Sequence, residues 1–404
     1  MKEEINKEYG FEGNIPRINM SARVGNFARF NADFKSYYGF APSSSRKSAS
    51  ESTFGSNSLT GSTGLTGSAG SNSSIDSNAS SSLDEQLDNC ICLELDYQPP
   101  YDWKLMMSFF QLRAVAGVEQ VTPDLEAYRR SIGILRSGVR YIGWLEVRPL
   151  AEQNKVQCII SMSLLPVVES VIALVRKAFD LNLRADTLPV GLISGIRLPG
   201  CFDTFEMCVR AILGQQITVK AAHVIAGRVV KRLGSEVKTP WPEVNLLFPE
   251  PKDVTILEDS IYEELGQLGV IRSKSGAILS LANSLQSCDL SFHLRNHPME
   301  VKDKLLRIKG IGPWTAEYLT MRAMSWPDAF PPGDAGIRHG LMNELRDVDG
   351  NLIMDAQRNL ELGYSKQRVA KRFEAEAQQF ASAYKPWRSY LTLTLWQGGL
   401  MKQE

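Results

Sequence analysis

The sequence predicts an α+β protein: an N-terminal antiparallel β-sheet with helices, followed by an all-α region. Three observations carry this. Residues 87–191 contain alternating or apolar runs rich in Val, Ile and aromatics, separated by turns, which is the strand signature. Residues 192–404 carry helical periodicity with capping residues. Residues 48–86 are dominated by Ser, Gly, Asn and Thr; such a stretch buries too little apolar surface to offset its ordering entropy and reads as a disordered linker.

The strand-like runs are CICLELDY, AVAGVEQV, GVRYIGWLEVRPL and KVQCIISMS. Two helices are predicted among them, at 103–110 and 166–179. Antiparallel strands interrupted by helices place those helices on one face of the sheet. In the second region, helices are predicted at 203–213, opened by Asp203, and at 218–233, ended by Gly234. Further helices are expected at 254–265, 273–285, 298–308, 314–324, 335–345, 366–384 and 387–396. No internal repeat is visible.

The chain has 404 residues, 43% of them hydrophobic, ample for two packed domains and a tail. It has no run of about 20 apolar residues to span a membrane. The opening MKEEINKEYG is charged and lacks a signal peptide's apolar stretch. The expected location is the cytoplasm, at the nucleoid, or the nucleus. Six cysteines and four histidines match no zinc or iron–sulfur spacing, so neither a metal nor another cofactor is expected. Lys and Arg balance Asp and Glu at 45 each, so binding to nucleic acid would need a local basic face. Arg210, Lys220, Arg228, Lys231 and Arg232 are candidates for one.

LLRIKGIGPWTAEYLTMRA, starting at Leu305, is the sharpest feature. A helix ends, Gly310, Ile311 and Gly312 turn the chain, and Pro313 suits the first turn of the next helix. Glycines let a nucleic-acid backbone approach closely. The N–H groups of Gly310, Gly312 and the helix start, with Thr315 nearby, would hold one phosphate without reading sequence. Ile311 would anchor the turn. The plainer alternative is a helix–turn–helix connection with a Gly cap. Downstream, Pro331, Pro332 and Gly333 lead into Asp334, which would equally serve as a helix N-cap.

Together YQPPYDW, RLPGCFDTFEMCVRAILGQQITV, GIGPWTAEY and KPWRSY resemble the AlkA-like DNA-3-methyladenine glycosylase II branch of the helix-hairpin-helix DNA glycosylases. The resemblance runs from about Cys90 to Trp396. It implies excision of alkylated bases, 3-methyladenine and 7-methylguanine among them, from double-stranded DNA by a monomeric enzyme without a cofactor. It makes Asp334 the catalytic carboxylate. Bifunctional members carry a Lys where this chain has Trp314, so water rather than an amine would attack the sugar. Trp314, Tyr318, Trp396 and Phe109 would line the base pocket, where electron-rich rings favour cationic bases. Trp387 and Tyr390 are expected in the core. Gln215 and Gln216 fall in the loop that inserts a wedge into DNA; Gln216 stands where the family commonly has Leu. The stretch 347–365 has no counterpart in the family pattern.

Val24, Gly25, Phe30, Phe34, Tyr38, Gly39 and Pro42 resemble the last half of an AraC-type helix-turn-helix. Residues 1–47 are therefore such a remnant or a basic tail. Two further functions compete: a non-catalytic DNA-binding or regulatory protein, and a bifunctional glycosylase/lyase for oxidised bases.

Overall fold

A computed structural model describes residues 90–398, apart from 294 and 347–349. The expected N-terminal remnant and linker lie outside the described residues. Five strands form one antiparallel sheet: β1 (Cys90–Asp96), β2 (Glu119–Val121), β3 (Tyr128–Arg136), β4 (Val139–Leu150) and β5 (Lys155–Ser161), in the order β1-β5-β4-β3-β2. Helix α1 (Trp103–Gln111) follows β1 and α2 (Val168–Ala178) follows β5. They meet through aromatic rings: Trp103 stacks on Phe179 at 5.6 Å, and Phe110 packs edge-on against the same ring. Tyr128 of β3 touches both Phe110 and Phe179 and stacks on Phe202, which carries the core into the helical region.

Strand β3 was not among the expected runs, although it pairs with β4 along its whole length. Its inward side chains include Arg130, which is buried and bonds Glu206 at 2.8 Å. A charge on the core face breaks the apolar alternation, and only a tertiary partner explains it. Conversely, the run at 114–121 is strand only over Glu119–Val121; Val115 and Val118 enter the core from a turn.

The helical region contains α3 (Thr204–Leu213), α4 (Val219–Leu233), α5 (Pro251–Thr255), α6 (Ile261–Gln267), α7 (Arg272–Gln286), α8 (Pro298–Leu306), α9 (Pro313–Ala323), α10 (Ala335–Leu341), α11 (Ala356–Glu361), α12 (Lys366–Ala381) and α13 (Arg388–Trp396). The helix expected at 254–265 is two helices. Pro251 starts α5 early as its first residue, and a 3₁₀ turn with Glu258 at φ +46° separates it from α6. Helix α10 is shorter than expected, ending at Leu341, and α11 lies within residues 347–365.

One apolar cluster runs from the sheet through α3, α7 and α9. A second joins α10, α12 and α13 through Ile337, Leu341, Phe373, Leu391 and Leu395. Helix α13 belongs to both: Tyr390 and Leu393 face the first core, and Trp396 packs against it. That shared helix carries an aromatic side chain from one cluster to the start of α10.

Candidate active site

Helix α9 sets the frame. Gly312 precedes it and Pro313 is its first residue. Gly310 holds φ +98°, and a Cβ there would meet the Ala277 side chain at 2.9 Å, so glycine is required twice over at this turn. Nothing lies within 4 Å of a Cβ built at Gly312, which leaves that side of the turn open. Ile311 is buried as expected, 5% exposed. Thr315 is buried too, and its Oγ1 accepts a bond from Gln215 Nε2 at 3.0 Å. Its side chain therefore faces the protein.

Trp314, Tyr318 and Arg322 are spaced by four and share one face of α9. Trp314 stacks on Tyr318, centroids 5.1 Å apart. Trp396 of α13 is tilted against Tyr318 at 6.3 Å, and lies parallel to Phe109 of α1 within 11°, at 6.5 Å. The four aromatic residues singled out in the sequence, drawn from three helices, thus form one cluster.

Asp334 sits at the start of α10. Its Oδ1 accepts from the backbone N–H of Gly336 at 2.8 Å and of Ile337 at 3.0 Å, so it is the helix N-cap. Two indoles add to this. Trp396 Nε1 donates to Oδ1 at 2.7 Å and Trp314 Nε1 to Oδ2 at 2.8 Å. The carboxylate is thereby tied to two indoles of the aromatic cluster, with Oδ2 the less crowded oxygen. A Cβ at Gly336 would meet Trp396 Cδ1 at 2.4 Å, so only glycine lets the indole reach Asp334.

The other end of the cluster is cationic. Arg322 Nη1 donates to the Tyr318 hydroxyl at 2.8 Å, and Arg113 lies with its Cζ 3.7 Å from the Phe109 centroid. Burial pushes the Tyr318 hydroxyl up, but Arg322, Arg113 and Arg210 outweigh it and hold it below the usual tyrosine range. Sequence reasoning missed Arg113 and Arg322. Each stands four residues after a ring of the aromatic cluster, Phe109 or Tyr318, and that helical spacing was the available signal.

The loop after α3 is braced from two sides. Gln215 Nε2 donates to Gly310 O at 2.9 Å, and Lys274 Nζ donates to Leu213 O and Gln215 O, both at 2.8 Å. Gln216 occupies the tip with φ +59° and is exposed. The two glutamines thus differ: Gln215 ties the loop to the hairpin, and Gln216 projects from it. The expected basic face loses Arg210, which is turned inward to Glu119 at 2.8 Å and Glu206 at 2.7 Å; two buried carboxylates draw it in. Tyr390 is in the core, with Trp387 against its edge.

Two family descriptions match in the order of the two structural regions. "AlkA N-terminal domain" covers residues 92–203, and "HhH-GPD superfamily base excision DNA repair protein" covers residues 209–366. The chain is 29% identical over 308 residues to DNA-3-methyladenine glycosylase 2 of Escherichia coli strain K12, covering 75% of this chain and 95% of that one. It is 27% identical over 318 residues to the probable bifunctional transcriptional activator/DNA repair enzyme AlkA of Mycobacterium tuberculosis, covering 76% of this chain but 56% of that protein. The solved 3-methyladenine DNA-glycosylase of Archaeoglobus fulgidus shares the fold, with a TM-score of 0.55 at 20% identity over 75% of this chain and 96% of that one. With its sheet domain ahead of a helix–GIGP–helix hairpin, the chain belongs to the HhH-GPD superfamily of base excision DNA repair proteins, in the form that carries an AlkA N-terminal domain.

Proposed function

We propose that this protein is a monofunctional DNA glycosylase that hydrolyses the N-glycosidic bond of alkylated bases in double-stranded DNA. The observation that carries this is the Asp334 carboxylate, held by the indoles of Trp314 and Trp396 at the edge of the aromatic cluster. The names of its relatives, which include DNA-3-methyladenine glycosylases, support 3-methyladenine as a substrate, and stacking on the electron-rich rings extends the reading to 7-methylguanine and related cationic lesions.

The turn at Gly310–Gly312 and the start of α9 hold a phosphate through backbone N–H groups and the helix dipole. The damaged nucleotide leaves the stack, which costs a few kcal/mol and least at a lesion. Gln216, at the braced loop tip, fills the gap and offers its amide to the orphaned base. The extruded base stacks against Trp314, Tyr318, Trp396 and Phe109, and an electron-poor ring gains most there. The glycosidic bond then breaks with its electron pair leaving on the base. The Asp334 carboxylate stabilises the developing oxocarbenium sugar, and Oδ2 orients the attacking water. The water oxygen bonds to C1′ and its proton passes to the carboxylate or to solvent. No amine stands at Trp314, and Lys309 precedes the turn, so no Schiff base forms and the strand stays intact. All these groups come from one chain, which supports action as a monomer.

The test is a panel of duplexes carrying 3-methyladenine, 7-methylguanine or an oxidised purine, with and without borohydride. Abasic sites from the alkylated duplexes, with no trapped adduct, are expected. A borohydride-trapped adduct identifies the lyase instead, and absence of any base release identifies a non-catalytic DNA-binding protein.

A further inference from the structure

The segment from Trp326 to Asp334 joins α9 to α10 and is held by bonds along its length. The start of α13 holds its first part. Arg388 grips the Asp328 carboxylate through Nε at 2.6 Å and Nη2 at 2.8 Å, Ser389 N donates to Pro327 O at 2.8 Å, and Ala329 N donates to Ser389 Oγ at 3.0 Å. Its last part closes on itself as a turn, with Asp334 N donating to Pro331 O at 2.9 Å. Phe330 stands between the two, and α9 holds it: the Phe330 N–H donates to Glu317 Oε1 at 2.9 Å. Pro331 and Pro332 have no N–H to give. The Glu317 bond is therefore the last tie to another element before the turn that presents Asp334.

The side chain of Glu317 is only 10% exposed. A neutral side chain could accept from Phe330 without the desolvation cost of a buried carboxylate. Lys302 of α8 answers the charge, with Nζ bonded to Glu317 Oε2. One carboxylate thus touches three elements. It grows from α9, pairs with α8 and holds the segment that leads to α10. Helices α8 and α9 are the two arms of the Gly310–Gly312 turn, so the pair ties the arms together where one of them fixes Phe330. A charge-assisted bond is roughly twice as strong as a neutral one. Phe330 is itself buried in the apolar cluster of α10, α12 and α13, so this anchor cannot slip without unpacking that core.

We propose that Glu317 is a positioning residue for the excision step: paired with Lys302, it fixes the Phe330 N–H and so sets the Pro331–Asp334 turn in register with the hairpin. This rests on the glycosylase reading above. The hairpin grips the DNA backbone, and Asp334 must meet C1′ of one nucleotide on that backbone, so the two have to keep a constant separation. Along the chain they are separated by the whole of α9 and the segment after it. The Lys302–Glu317–Phe330 chain of bonds is a shorter connection through the core. A misplacement of about 1 Å can cost about 100-fold in rate. Glu317 acts through Phe330 and touches neither base nor phosphate, so its loss should be felt in the rate and not in the affinity.

Single-turnover excision from a 7-methylguanine duplex, and affinity for undamaged duplex, are measured for wild type, Glu317→Met, Glu317→Gln and Lys302→Met. Met at 317 removes the acceptor and keeps the length; Gln keeps the acceptor and removes the charge. Glu317→Met is expected to lose at least about tenfold in rate with duplex affinity within about threefold of wild type, and Glu317→Gln to return the rate to within about threefold. Lys302→Met changes a partly exposed residue and strands the buried carboxylate, and should lose at least about threefold in rate at unchanged affinity. A rate unchanged in Glu317→Met, one lowered only in step with affinity, or an equal loss in Glu317→Gln overturns the proposal. If Glu317→Met does not fold, an unaltered rate in Lys302→Met overturns it. A second readout needs no catalysis. In the protein labelled with 15N-tryptophan, the indole N–H signals of Trp314 and Trp396, which donate to Asp334, should move in Glu317→Met and return in Glu317→Gln, while that of Trp144 stays. Stationary Trp314 and Trp396 signals overturn the proposal. A wild type that excises neither 7-methylguanine nor 3-methyladenine counts against the glycosylase reading, while the indole signals still decide the role of Glu317.

Discussion

Asp334 shows how a structural role and the proposed chemical one would share a single side chain. Its Oδ1 caps α10 while both oxygens accept indole N–H groups. Replacing Trp314 or Trp396 by Phe removes one such bond and keeps a ring. A hydrogen bond to a charged group is worth about 1.5–3 kcal/mol, so single-turnover excision should fall roughly 10- to 100-fold if the bond persists in the transition state. Unchanged excision in both variants would show that the indoles only stack. Gly336→Ala is a sharper probe. Its Cβ would displace the Trp396 indole, so this variant should mimic Trp396→Phe in rate while keeping every pocket ring. Normal excision by Gly336→Ala would mean that the indole contact is dispensable. Asp334 was legible in the sequence because PPGD after the hairpin matches a family pattern. The indole bonds were not, since they join residues 20 and 62 positions apart. Arg113 and Arg322 were overlooked because charges on a predicted core face read as noise until their partners are known.

At the scale of elements, the hairpin and the loop after α3 behave as one unit. Gln215 bonds the hairpin carbonyl of Gly310, and Lys274 bonds two carbonyls of the loop. Lys274→Met should release Gln216 from its set position. The expected result is weaker base extrusion, read as a smaller fluorescence rise from 2-aminopurine beside the lesion, with little change in affinity for undamaged duplex. An equal extrusion signal would show that the loop holds itself. The sequence located both elements, because Gly-x-Gly-Pro and the LGQ loop carry local signatures. It did not reveal that they touch, nor that Thr315 faces inward, because such bonds depend on how α3, α7 and α9 pack. Strand β3 was missed for a related reason: Arg130 is acceptable on its core face only because Glu206 of α3 meets it.

Across the whole molecule, one ion network joins the sheet domain to the helical region. Arg130 of β3 and Arg210 of α3 share Glu119 and Glu206, and all but Arg210 are buried. Removing one partner of a buried pair typically costs about 3–5 kcal/mol, so Glu206→Gln should lower stability by that order in denaturant unfolding. A loss below about 1 kcal/mol would show that the network tolerates an open charge. Asp180 links the same regions through Leu198 N and the Tyr390 hydroxyl. Burial pushes its carboxyl up to about 6. Its folded form then holds a proton between about pH 4 and 6 that the unfolded chain has released, so this group makes stability fall as pH rises through that window. Asp180→Asn should flatten that part of the stability profile, and an unaltered slope would assign the titration elsewhere. The two-region architecture was legible from periodicity, whereas the charged seam between the regions was not, because no local pattern marks two residues that meet across domains. The claim that the whole molecule is a hydrolase rests on one carboxylate. Asp334→Asn keeps the shape of the side chain and removes its charge. Measured by single-turnover excision from a 7-methylguanine duplex, with duplex affinity in parallel, the variant should lose at least about 100-fold in rate while binding DNA almost as the wild type does. Near-normal excision by a correctly folded Asp334→Asn protein would contradict the assignment.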